Sequence, residues 1–219
     1  MGKKEYNEEI LKSKEGENLE NYQKQLEKLL SGLDEAQPPK RLLLHSCCAP
    51  CSSYCLEYLS QYFSITIFYY NPNIAPEEEY RMRVDEQKKL ISHLPVKYPI
   101  TFVEGKYDPE HFYAIAKGLE KVPEGGERCF KCYRLRLEEA AIEAKKGNYD
   151  YYTTTLTISP LKNAQKLNEI GQELAEKYGI AHLPSDFKKK NGYKRSIELS
   201  HKYGLYRQNY CGCVFSKTN

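Results

Sequence analysis

The chain has 219 residues, 40% of them hydrophobic and 29% charged, with 33 basic and 30 acidic side chains for a net charge of +3. That size supports one large domain or two small ones around a sizeable core, which excludes a disulfide-stapled miniprotein, and the balanced charge excludes a disordered polyelectrolyte. No apolar run reaches the length of about 18 residues that would span a membrane, and Met1-Gly2-Lys3-Lys4-Glu5-Tyr6 has neither the apolar stretch of a secretory leader nor the Ser/Thr of a myristoylation site, so a cytoplasmic protein is expected.

In chain order, residues 17–33 place Leu19, Tyr22, Leu26, Leu29, Leu30 and Leu33 at helical spacing, and Gln37-Pro38-Pro39 ends that pattern. The expected organisation is an N-terminal helical arm over residues 1–39 and a catalytic α/β domain over 40–219. Leu42-Leu43-Leu44 reads as a short buried strand, Ser52 to Gln61 as a helix, and Ile65 to Tyr69 as a second strand closed by Asn71-Pro72-Asn73. Pro76 with Glu77-Glu78-Glu79 starts a helix that runs to about Leu94, because proline suits a first turn and carboxylates suit the positive end of the dipole. A strand over 100–103, a helix over 109–117, a long helix over 129–146 and a strand over 149–156 follow. A helix over 163–178, a strand over 180–183 and a helix over 193–203 complete the pattern. Such alternation predicts a doubly wound, mainly parallel five-stranded sheet.

Eight cysteines without an export signal suggest metal binding or redox catalysis rather than structural disulfides. Cys47, Cys48 and Cys51 fall in the loop leaving the first strand, where ligands of such sheets bind. Cys55 lies inside a helix and reads as a buried apolar residue. Cys129-Phe130-Lys131-Cys132 opens the long helix and, alone, suits zinc, iron–sulfur or redox use. Its combination with the first group favours iron–sulfur ligation, which draws ligands from separate loops. Cys211-Gly212-Cys213 is too tight for an ordinary ligand pair and reads as a redox dithiol able to supply two electrons.

Charge is uneven: residues 187–219 carry 8 Lys or Arg and 1 Glu. Lys188, Lys189, Lys190, Lys194, Arg195 and Arg207 are interleaved with Tyr193, Tyr203, Tyr206 and Tyr210. Cations for phosphates and rings for unstacked bases suit an RNA loop.

Several motifs together resemble the cobalamin-independent epoxyqueuosine reductases of the QueH family. They are Leu42 to Ser52, through His45-Ser46-Cys47-Cys48-Ala49-Pro50-Cys51; Phe68 to Ile74 with Glu79-Tyr80 and Arg83; Glu124 to Cys129, then Cys132-Tyr133 and Arg136-Leu137; Thr153 to Leu156 with Ser159 and Lys162; Asp186 to Lys189 with Gly192; and Tyr206 to Cys213. The resemblance implies a nucleotide-hydrolase-like (HUP-type) fold and a two-electron deoxygenation of epoxyqueuosine at the wobble position of tRNA, giving queuosine and water. It further implies a [4Fe-4S] cluster on Cys47, Cys48, Cys129 and Cys132, with a neighbouring iron or other divalent metal, and a redox-active disulfide between Cys211 and Cys213. Cys51 rivals the adjacent pair or serves the second metal. Asp186, Asp108 and Tyr107 are the nearest motif-associated proton donors or iron ligands, and His45 caps the first strand. The implied partners are tRNA and an electron donor of unspecified identity. Two other readings compete with it. A tRNA-modifying ATP pyrophosphatase would need a glycine- and serine-rich first loop where Cys47, Cys48 and Pro50 stand. A zinc- or iron–sulfur-containing RNA-binding module without catalysis leaves Cys211 and Cys213 without a task.

Overall fold

The computed structural model describes residues 21–217 apart from Glu35 and Asn209. Residues 1–20 of the expected arm lie outside them. The arm's helix is α1, Tyr22–Ser31, opened by Asn21, whose side-chain oxygen accepts from the Lys24 amide at 3.0 Å. The core elements follow as β1 Lys40–His45, α2 Ala49–Leu59, β2 Phe63–Tyr69, α3 Glu77–His93, β3 Ile100–Glu104, α4 Pro109–Ala116 and α5 Glu127–Lys146. Then come β4 Tyr151–Thr154, a 3₁₀ turn Thr155–Ile158, α6 Ala164–Tyr178, β5 Ala181–His182 and α7 Gly192–Lys202. Among these helices none is long and apolar enough to cross a membrane.

All four strand pairings are parallel, and the order across the sheet is β3-β2-β1-β4-β5. β1 is central and apolar on both sides. Leu43 packs with Phe68, Leu137, Ala141 and Leu156 on one face, beneath α4, α5 and α6. Leu42 and Leu44 pack on the other with Leu26 and Leu30 of α1, Leu56 and Leu59 of α2, and Leu90 of α3. Each such fully buried leucine is worth about 1.5–3 kcal/mol of apolar transfer, so two cores sharing one strand stabilise the doubly wound arrangement.

The chain moves outward from β1 to β3, then returns past β1 to β4. The order therefore reverses between β1 and β4, and in open α/β sheets the crevice at that point is where ligands bind. Two of the boundaries that differ from the sequence expectation do so for clear local reasons. β4 stops at Thr154 because its hydroxyl accepts from the Leu156 amide at 3.1 Å and turns the chain into the 3₁₀ segment. α2 begins at Ala49 rather than Ser52, since Pro50 fits its first turn.

Candidate active site

The loop after β1 is pinned before it presents any thiol. Ser46 bonds through its hydroxyl to Ser52 at 2.6 Å and Gln87 at 2.8 Å, and its carbonyl accepts from Asn71 Nδ2 at 2.9 Å. His45 is fully buried. Burial, then the Arg136 charge, lower its imidazole to about 3, so the ring is neutral; Nε2 donates to the Tyr70 carbonyl at 3.1 Å and Nδ1 accepts from Thr154 at 2.8 Å. It braces the end of β1 against the end of β4.

Beyond that brace the Sγ atoms of Cys47, Cys48 and Cys51 all lie within 4.8 Å of one another, a spacing that could hold a metal ion. Cys47 and Cys48 are 3.9 Å apart. Contacts with Cys48 and Cys51 hold the Cys47 thiol well below its ordinary range, against burial and with help from Arg136 and Thr155. The contact with Cys47 pushes the Cys48 and Cys51 thiols up in turn. Three sulfurs this close are a ligand set that metal binding would draw together as thiolates.

The second group stands on the first turn of α5. Arg128, buried, donates to the carbonyls of Leu119 and Glu120 at 2.9 Å and to that of Val122, which staples the preceding loop in place. Cys129 Sγ accepts from the Gly125 amide at 3.3 Å. One turn on, burial pushes Cys132 up to about 12. Arg136, the next residue on this face, is also buried. Its burial opposes the charge, but Cys132, Cys211 and Cys47 outweigh that and hold the guanidinium. A single buried cation thus acts electrostatically on one cysteine from each of the three groups.

Cys211-Gly212-Cys213 reaches the same place from the C-terminal side. Gly212 has φ +94°, and a Cβ there would lie 2.9 Å from both Arg83 Nη1 and Ile74 Cγ1. Its carbonyl accepts from the Ala75 amide at 3.1 Å. Arg83, buried and paired with Glu79 at 2.7 Å, donates to the Cys211 carbonyl at 3.4 Å. Glycine is the residue that admits both the backbone angle and the close approach.

Two adjoining cavities gather these groups. The larger, about 300 Å³, is lined by Cys47, Cys48, Cys51, Arg83, Lys162, Tyr193, Arg207, Tyr210 and Cys211 among others. The smaller, about 20 Å³, is lined by Asn73, Cys129, Cys132, Arg136, Lys162, Cys211 and Cys213. Glu124, Lys162 and Cys211 border both. Asn73 is 2% exposed, and neither its Oδ1 nor its Nδ2 has a partner among the described residues. A buried amide left so costs about 1–3 kcal/mol unless something else occupies the cavity. Sequence reasoning treats Asn73 as a turn residue; only its burial beside the cysteines shows otherwise.

Other nominated residues lie elsewhere. Asp186 pairs with Lys188 at 2.6 Å, Asp108 starts α4, and the Tyr107 hydroxyl donates to the Ile74 carbonyl at 2.9 Å; none lines either cavity. Lys190 pairs with Glu27 at 2.6 Å, and Arg195 with Glu57 at 2.7 Å. Lys189 and Lys194 are exposed, and Arg207 alone of the basic set borders the cleft, 5.7 Å from the Tyr193 ring. Cys55 is fully buried in the α2 core.

A parallel α/β domain that converges thiols and buried cations at its topological switch point is the framework of a metal-binding or thiol-dependent redox protein. Comparison with known proteins narrows the class. The family described as "Epoxyqueuosine reductase QueH" matches residues 42–219. Proteins of that name are similar to the chain: 45% identity over 200 residues for Staphylococcus epidermidis, covering 90% of this chain and 84% of that one; 40% over 210 for Streptococcus pyogenes, covering 95% and 82%; and 38% over 183 for Thermotoga maritima, covering 80% and 89%. The chain belongs to the QueH family.

Proposed function

We propose that the protein reduces epoxyqueuosine in tRNA to queuosine, removing the epoxide oxygen as water. Family membership supports the reaction. The observation that carries the site is that Cys211 borders both cavities and so joins the dithiol to both other cysteine groups. Oxidation of Cys211 and Cys213 from thiols to a disulfide releases two electrons and two protons, which is what conversion of an epoxide to an alkene and water consumes. An external reductant then reopens the disulfide.

The donor set fits an iron–sulfur cluster in its chemistry. Thiolate-ligated clusters are anionic, and Arg136 faces cysteines from all three groups while the unpartnered Asn73 amide borders the same space. Cys47, Cys48, Cys129 and Cys132 would hold a [4Fe-4S] cluster, and Cys51, within 4.8 Å of the first pair, would serve an adjacent metal. When bound, such iron transfers electrons and, with an open position, polarises an oxygen ligand. Around it the chain's own residues fix the reaction: His45 and Thr154 brace the first loop, Arg128 fixes the Cys129 turn, and Gly212 brings the dithiol against Arg83 and Ile74. The larger cavity has room for a nucleoside rather than a helix, so the modified nucleotide enters it from an RNA loop, with Arg207, Tyr193 and Tyr210 at its walls.

The test is anaerobic purification with iron and sulfide analysis, then incubation with dithionite and epoxyqueuosine-containing tRNA and mass spectrometry of the nucleosides. Iron-dependent loss of one oxygen atom is the expected result; unchanged nucleoside in the presence of bound iron overturns the reading. Cys129→Ser is expected to lose the cluster absorbance, and full retention of it refutes that ligand.

A further inference from the structure

Lys162 stands between the two cavities, four residues past the end of the 3₁₀ turn, with only 10% of its side chain exposed. Its Nζ lies 3.3 Å from Cys211 Sγ, whereas the nearest carboxylate oxygen paired with it, on Glu124, is 3.9 Å away. A buried ammonium needs a close anionic or polar partner, and here the closer one is the sulfur. Burial opposes its charge, yet Cys211, then Tyr133 and Cys47, outweigh that and keep the ammonium form. The other sulfur of the pair sits differently. Cys213 is 7% exposed, in the apolar cluster that contains Phe112 and carries Phe215 against it, and burial pushes its thiol up.

From this asymmetry we propose that Lys162 is a positioning residue that makes the dithiol unequal: it charge-pairs with Cys211 and holds that sulfur to the cleft as the reacting thiolate, while Cys213 waits beneath as the partner that closes the disulfide. The proposal rests on the dithiol reading and deepens it. Disulfide formation then balances as one thiolate and one thiol giving an S–S bond, two electrons and one proton. The electrons pass to the epoxide, which takes its second proton from solvent or a neighbouring acid. Glu124, 3.9 Å from the same ammonium, limits how far it can swing away.

The experiment is a short iodoacetamide pulse on the reduced, anaerobically purified protein at neutral pH, with peptide mass spectrometry resolving Cys211 from Cys213. Wild type is expected to alkylate Cys211 at least about tenfold faster than Cys213, because the thiolate and not the thiol reacts. Lys162→Met and Lys162→Gln are each expected to bring that ratio to within about threefold of unity, and Lys162→Arg to keep most of it. Equal rates in wild type, or an undiminished ratio in whichever neutral variant folds, overturn the proposal. A parallel Cys211→Ser/Cys213→Ser protein separates the two ideas. If it turns over normally the dithiol reading fails; if it is dead while the neutral lysine variants keep the wild-type ratio, only the role of Lys162 fails.

Discussion

The two ends of the sheet differ in a way that size alone would misjudge. At the N-terminal ends of β1 and β4 lies a hollow of about 640 Å³, twice the volume of the cysteine cleft, lined by Lys40, Arg41, Lys97, Pro38, Pro39 and Asp150 among others. Its charges have ordinary partners: Lys40 pairs with Asp150 at 3.4 Å, Arg41 donates to the Gly147 carbonyl at 2.8 Å while lying over the Tyr149 ring, and Lys97 lies 5.2 Å from the Tyr98 ring centroid. At the C-terminal ends the cavities are smaller, but they contain thiols, a buried Lys162 and Arg136, and an amide that has no partner among the described residues. Unfinished electrostatics, rather than empty volume, mark the working end.

The most forceful way to break that comparison is to remove chemistry from one end and charge from the other. Cys211→Ser/Cys213→Ser is expected to lower multiple turnover by more than about a hundredfold while the cluster absorbance remains. Lys40→Ala and Lys97→Ala are expected to leave turnover within about twofold, since the exposed Lys40–Asp150 pair is worth only about 0–1 kcal/mol and Lys97 meets only the Tyr98 ring. Assays of nucleoside conversion decide both, and a dead Lys97→Ala protein would move the site to the wrong end of the sheet.

A smaller effect is expected from one methyl group. Gly212→Ala adds a Cβ 2.9 Å from Arg83 Nη1 and Ile74 Cγ1 at φ +94°, where strain alone costs about 1–3 kcal/mol. For a chain of this length that lowers the melting temperature by roughly 2–4 °C per kcal/mol. The shift displaces the dithiol, so turnover should fall by more than stability accounts for. Equal melting temperatures for the two proteins would show that the turn yields freely and that glycine is not required there.

Much of this was legible in the sequence, for identifiable reasons. Leu42-Leu43-Leu44 could only be buried on both faces, and the alternation that follows gave the parallel sheet; Cys47, Cys48 and Cys51 had to land at a strand's C-terminal end. What stayed hidden is long-range. Nothing local says that Arg136, two turns into α5, faces Cys47, or that Lys162 meets Cys211 across 49 residues of chain. The basic run misled in the opposite direction. Lys190 and Arg195 look free in sequence, but Glu27 and Glu57 stand beside them only once the chain is folded; Lys188 has its partner, Asp186, two residues away. Even the two-residue β5 is set by pairing: Ala181 and His182 meet Tyr151 and Tyr152, and β4 itself ends two residues on.

The mildest expected effect sharpens the comparison at the sheet's edge, where a buried titratable group serves packing alone. His182 ends β5 with its ring against Gly171 and edge-on to Tyr152, 5.3 Å between centroids, and burial lowers its imidazole to about 4. The folded value lies below the ordinary 6.5, so above pH 6.5 neither state holds the proton and the folded chain keeps its full stability. As pH falls from 6.5 towards 4, the unfolded chain binds a proton that the folded one refuses. Stability then drops by up to about 1.4 kcal/mol per pH unit from this residue. His182→Gln should flatten that part of the melting-temperature curve between pH 6.5 and 4 while turnover at pH 7.5, per folded molecule, stays unchanged. An unaltered acid slope would mean the buried imidazole is not what acid attacks. A loss of turnover would extend the working end of the sheet beyond the β1–β4 switch point to its outer strand.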